Sequence, residues 1–333
     1  MFTRTLPLLV LLSACAADPQ PMEPPVREGP LDIRSLSYPA HWLVEQVGGE
    51  QVQLRNILPP GKDTPHWQPS AELIAGLSES DLIVANGAGF EAWVATATMP
   101  ADKLVFTAKG VDLIHLESAT HSHGTGGEHS HGEIDPHTWG SPAVFAQQAH
   151  ILAAALGKAD PINAAIYTQS AGVLEADLTE IGRVYTDAFS RAGDSKLACN
   201  HPAYNYLARQ LDVDIHAFDY APTAVPSEQD LAAFAAWAGD TAEPILLWEA
   251  IPSSEVKAAF PAGVRHVWLD PLEQPASGGT YDYLAQVRNN VATIGDLFPL
   301  DEVEHTKRPG QFVPKPGAPA DAKPSRGKGA KGR

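Results

Sequence analysis

Cysteine is nearly absent from this chain: its 333 residues contain two, Cys15 and Cys199. Cys15 falls in an N-terminal leader, so the remainder holds one thiol. That excludes an internal disulfide and leaves stability to a packed core. Long apolar runs are lacking too. Residues 6–12 form a short one, far below the roughly 20 residues that a membrane-spanning helix needs. Basic charge is scarce away from the termini. With +1 from Arg4 and +7 from residues 307–333 set aside, the −17 of the whole chain leaves −25 for the part between. A surface that acidic argues against nucleic acid as a partner and concentrates cations near it.

The termini have compositions of their own. Met1-Phe2-Thr3-Arg4 followed by the apolar run reads as a signal peptide over residues 1–15. Leu12-Ser13-Ala14-Cys15 resembles a bacterial lipobox, which makes Cys15 the expected site of lipidation and membrane anchoring. Residues 16–30 are proline-rich and acidic, a tether unable to build a core. Residues 301–333 are rich in Lys, Pro and Gly and read as a basic disordered tail.

What lies between repeats one pattern, a short apolar run followed by an amphipathic stretch. Strands are predicted at 31–36, 52–58, 81–85 and 104–107, with helices at 39–47, 70–77 and 90–97. A second series has strands at 196–199, 213–217, 245–248 and 266–269, with helices at 202–211, 228–238, 254–260 and 281–297. Such alternation implies parallel strands with crossover helices. The fold class is therefore α/β: two doubly wound parallel-sheet lobes, 31–158 and 194–300, with a ligand site in the cleft between them. Residues 159–193 join the lobes. Asp160-Pro161 suits a helix start, and Ile162, Ile166, Val173, Leu174, Leu178, Ile181, Tyr185 and Phe189 recur at helical spacing up to Gly193. One rigid helix of about 30 residues would span about 45 Å and limit closure to small tilts.

Histidine is concentrated where little else is ordered by pattern. His115, His121, His123, His129 and His131 lie among Gly, Ser and acids in a loop over 115–133. Imidazoles on a flexible acidic segment suit a borderline divalent cation such as zinc. Ligands of open α/β sheets sit beyond the carboxyl ends of strands. Four ligand-type residues stand at such places: His66, His137, His201 and Asp270, two from each lobe. Three neutral imidazoles and one carboxylate make a tetrahedral set suited to zinc. Cys199, at a strand end, reads as a core thiol. His41, His150, His216, His266 and His305 read as core or surface residues. Trp67 and Trp139 each adjoin a ligand and can shield it from water.

Across nearly all of 31–300 the chain resembles the metal-specific solute-binding proteins of ABC transporters, which capture zinc or manganese outside the inner membrane. The resemblance runs through Tyr38-Pro39, Val47-Gly48-Gly49, Pro60-Gly61, Pro65-His66, Ala85-Asn86-Gly87-Ala88-Gly89-Phe90-Glu91 and Asp135-Pro136-His137. It continues through His201-Pro202-Ala203-Tyr204-Asn205-Tyr206-Leu207 to Leu269-Asp270-Pro271-Leu272. It implies His66, His137, His201 and Asp270 as ligands of the transported Zn2+, and Glu249 as an acid that orients them. His201 stands where manganese-type members often carry a carboxylate, which favours zinc. The His-rich insertion before His137 is typical of zinc-type members and implies auxiliary, weaker metal sites. Thr64 and Gln68 depart from acids frequent beside the first histidine.

The resemblance also implies partners: an inner-membrane permease with a cytoplasmic ATPase, a divalent metal ion, and the membrane through the lipid anchor. The expected protein is a periplasmic or extracytoplasmic monomer, not an enzyme. Other readings are manganese capture on the same plan, a zinc buffer or surface adhesin acting through its histidine loop, and a zinc hydrolase. A hydrolase needs an open metal position and a base, whereas four protein ligands close the site, and no H-E-x-x-H motif is present.

Overall fold

The computed structural model describes residues 29–116, 121–123, 127–129, 134–275 and 279–299. The leader with Cys15, the tether up to residue 28, His131 and the basic tail lie outside them. The first lobe runs β1 (Leu31–Ser35), α1 (Tyr38–Gly48), β2 (Val52–Asn56), α2 (Ala71–Gly76), β3 (Leu82–Ala85) and β4 (Leu104–Phe106). Its parallel sheet has the order β2-β1-β3-β4, with Ile33 set between Leu54 and Leu82. A separate antiparallel hairpin follows, β5 (His121–His123) with β6 (Gly127–His129), pairing His121 opposite His129. Outside it, His115 pairs with Ile134. The segment expected as a loop thus carries strands of three residues, too short for a period-2 signal to register.

Two long helices come next, α3 (Pro142–Ala159) and α4 (Ala164–Phe189). The second lobe then runs β7 (Leu197–Cys199), α5 (Asn205–Leu211), β8 (Ile215–Ala217), α6 (Glu228–Ala238), β9 (Ile245–Trp248), α7 (Ser254–Ala259), β10 (Arg265–Trp268) and α8 (Tyr283–Leu297). Its sheet order, β10-β9-β7-β8, is again fully parallel and repeats the connectivity of the first lobe. In each sheet the chain reverses its direction of build beside the first strand, between β1 and β3 and between β7 and β9. Those are the places where such sheets bind ligands.

The linking helix is present as a 3-10 turn, Pro161–Asn163, leading into α4. Its buried face keeps Leu174, Leu178, Ile181, Tyr185 and Phe189 of the expected set and departs from it at the N-terminal end. Tyr167, Ala171, Leu174, Leu178, Ile181, Tyr185, Ala188 and Phe189 face the core, whereas Ile162, Ile166 and Val173 are 63%, 44% and 61% exposed. Steps of four and three from Tyr167 hold one face along the whole helix, and the exposed residues fall about 100° off it. That face packs on α1, α3 and α8, so it serves both lobes.

Helix α3 lay in no sequence expectation. Ser141 caps it by accepting from Val144 N, with Pro142 in the first turn, and Val144, Phe145, Ala149, Leu152, Ala153 and Leu156 fill its inner face. The helix expected over 90–97 shrinks to a 3-10 turn, Ala92–Ala95. Its would-be first turn is spent elsewhere: the buried Glu91 carboxylate turns back to accept from Asn86 N (2.9 Å) and Gly87 N (3.0 Å). One buried hydrophobic cluster runs without a break from Leu31 and Ile33 through α3 and α4 to Leu247, Tyr283 and Ile294. The lobes therefore share a core.

Candidate metal site

The two sheets point their carboxyl ends at one region, and short turns there carry the candidate donors. His66 closes the turn after β2: its backbone N donates to Asp63 O, and its Nδ1 lies 2.5 Å from Asp63 Oδ2. Its side chain is 30% exposed. Trp67 beside it stands edge-on to Trp93, in the first lobe.

His137 is buried. The segment carrying it is held from β3: Asn86 Nδ2 donates to Pro136 O (3.0 Å), and Thr138 Oγ1 donates to Asn86 Oδ1 (2.9 Å). Its Nδ1 lies 2.7 Å from Asp135 Oδ1, and its Nε2 lies 2.9 Å from Glu273 Oε1. His201 follows β7 and is also buried. The two rings stand edge-on with centroids 5.3 Å apart, one from each lobe. Trp139 packs against His137 at 5.5 Å and donates through Nε1 to Pro271 O.

The fourth expected donor is occupied otherwise. Asp270 Oδ1 accepts from Leu272 N (2.8 Å), Oδ2 accepts from Gln286 Nε2 (2.9 Å), and its backbone exchanges two bonds with the Asn290 amide. These bonds pin a turn in which Leu272 takes φ +62, a conformation that non-glycine residues rarely adopt. The turn presents the next residue, Glu273, to His137. Sequence reasoning did not single out Glu273. The only signal for it was an acid three positions past a strand-end aspartate, in a turn whose direction no pattern gives.

Glu249, at the end of β9, accepts from Asn200 Nδ2 at 3.4 Å, while its own N donates to Asn200 Oδ1 at 2.8 Å. Burial, then the charge of Glu273, pushes its carboxyl up to about 7, although Asn200 and the His137 charge oppose the rise. Cys199 is buried, and burial followed by the charges of Glu249 and Asp135 holds its thiol protonated. His115 is exposed at the base of the hairpin; β5 and β6 carry His121, His123 and His129 in a two-stranded sheet of their own. Among the described residues, no three ligand-type side chains meet closely enough to share an ion as they stand. His137 Nε2 is instead engaged by Glu273.

Burial alone would lower the His137 pKa, but the Asp135 charge and hydrogen bond, reinforced by Glu273, push it up to about 10. A histidine whose folded pKa is raised stabilises fully below its free value of 6.5 and loses that contribution as pH climbs through about 10. Thermal melts of chelator-treated protein should therefore show a midpoint falling between these two values. A His137→Gln variant should show a smaller fall. Equal falls in both proteins would contradict this origin.

Among protein families, the chain matches the one described as zinc-uptake complex component A periplasmic, ZnuA, over residues 37–296. It is 25% identical to the high-affinity zinc uptake system protein ZnuA of Bacillus subtilis over 79% of this chain and 85% of that one. It is also 25% identical to the zinc-binding lipoprotein AdcA of Streptococcus pneumoniae, over 80% of this chain but 56% of that longer protein. The crystal structure of the Zn(II)-bound ZnuA-like domain of the pneumococcal AdcA superposes with a TM-score of 0.67 at 21% identity. That match covers 82% of this chain and 100% of that one, and it bears on the fold. With two like parallel sheets, a shared long helix and a family match across most of its length, this chain belongs to the ZnuA family of zinc-uptake components.

Proposed function

We propose that the chain captures zinc outside the cytoplasm and hands it to an ABC permease driven by a cytoplasmic ATPase, catalysing no reaction itself. The observation that carries this reading is the buried imidazole pair His137 and His201, drawn from opposite lobes and ringed by carboxylates. His66 supplies the third imidazole from the more exposed turn. Three imidazoles favour zinc over manganese, a harder ion that prefers oxygen.

For the acid, Glu273 takes the donor role in this reading in place of Asp270, supported by the contacts each makes. Asp270 holds the turn, and Glu273, already at His137 Nε2, is the side chain that zinc would draw into its coordination sphere. Capture then exchanges a proton and the Glu273 contact on His137 for the ion. The His-rich hairpin acts as a weaker collector, Glu249 tunes the field of the cleft, and Cys15 carries the lipid that keeps a monomer near its permease.

Zinc titration by calorimetry tests the assignment. Glu273→Gln should weaken the tight site by about two orders of magnitude. Asp270→Asn keeps an acceptor for Leu272 N and should cost about tenfold at most. The reverse order would return the donor role to Asp270.

A further inference from the structure

We propose that Asn205 is a positioning residue for zinc capture, holding the Asp135 carboxylate so that His137 presents Nε2 to the ion. The proposal rests on the reading of His137 as a donor.

Asp135 is fully buried, and its two oxygens are divided between the lobes. Oδ1 accepts from His137 N (2.9 Å) and faces His137 Nδ1 (2.7 Å). Oδ2 accepts from Asn205 Nδ2 (2.9 Å), the first residue of α5. The next residue of α5 reinforces the hold, because Tyr206 Oη donates to Asp135 O (2.9 Å) while accepting from Ile114 N. A carboxylate at Nδ1 places that ring proton on Nδ1 and leaves Nε2 as the metal donor. The amide from α5 fixes the rotation of the carboxylate, a torsion that is otherwise broad. His201 lies four residues before Asn205, so one chain of bonds links the donor of the first lobe to the helix behind the donor of the second. Remove the amide, and Oδ2 becomes a buried acceptor without its donor, free to turn away from His137.

A purely structural role has its own basis. Asn205 also donates to Pro202 O at 3.3 Å and opens α5. The His137 ring proton separates the two roles, since loss of a purely structural contact would leave it unmoved once zinc is bound. In the full chain, Asn205→Ala and Asn205→Asp should each weaken zinc binding about 10- to 100-fold. At saturating zinc, the His137 Nδ1–H signal in 15N-histidine NMR, protected from exchange in the wild type, should broaden or vanish in both. Asn205→Asp also sets a second carboxylate beside the buried Asp135 and should melt, metal-free, well below Asn205→Ala, so a positioning role predicts affinity losses that do not follow the stability losses.

The proposal is overturned if Asn205→Ala binds zinc as the wild type does with the His137 signal still protected, or if both variants lose affinity only in step with lost stability. A His137→Ala control distinguishes this from failure of the underlying reading. If that variant keeps the tight site, His137 is no donor. If it loses the site while both Asn205 variants keep it, only the relay fails.

Discussion

Alanine in place of His137 should abolish tight zinc binding. Zinc sites with four protein donors have apparent binding energies of about 10–16 kcal/mol, or about 2.5–4 kcal/mol per donor. Losing one lowers affinity by about two to three orders of magnitude. Among the proposed donors, His137 is the one for which this loss should be most complete, since its ring is buried between Asp135 and Glu273. The same change leaves two carboxylates facing one another without the cation between them, so the metal-free variant should also melt earlier. Calorimetry against a variant lacking residues 115–131 completes the measurement. The deletion should keep one tight site and lose only weaker ones. Should His137→Ala retain the tight site while the deletion loses it, zinc is held by the hairpin and the cleft assignment is wrong.

Trp139→Ala should be the most destabilising single change near the site, by about 3–5 kcal/mol in denaturant unfolding. The indole is fully buried, with its ring centroid 4.4 Å from that of Phe90 in the first lobe. It donates to Pro271 O in the turn that carries Glu273, and its carbonyl accepts from Tyr283 Oη at 2.7 Å, in α8. One residue thus fastens three parts of the molecule. Trp139→Phe keeps much of the packing and should cost less, about 1 kcal/mol of it from the lost hydrogen bond to Pro271. A loss below about 1 kcal/mol for the alanine variant would mean that the surroundings collapse into the space and that Trp139 does not fasten the turn.

Much of the architecture was legible because parallel strands buried on both faces announce themselves as short apolar runs, and β9 and α6 fall where periodicity placed them. Helix α3 escaped although Ser141-Pro142 marks its start, because its alanines dilute the periodic signal. The stripe of α4 was right at Leu174, Leu178, Ile181, Tyr185 and Phe189 but took in Ile162, Ile166 and Val173, which are more apolar than the Ala171 and Ala188 that the helix buries. Hydrophobicity misplaced those three where close approach of helices selected the small residues. At the candidate site, the meeting of His137 and His201 agrees with their expected places beyond the carboxyl ends of the two sheets. Glu273 was not legible, since its position depends on the left-handed turn at Leu272. Nor was the partnership of Asp135 with Asn205, which lies 70 positions away and has no local signature.

The unbroken core through α3, α4 and both sheets also makes the molecule indivisible. Its two halves look alike in connectivity, as though each could be expressed alone or exchanged between relatives like a cassette. A gene cut after α4 would strip Tyr283, Val287 and Ile294 of α8 from the inner face of that helix and give two insoluble pieces rather than two working halves. Recombination between relatives should therefore succeed at the turns beyond the strands and fail at the helix that visibly separates the lobes.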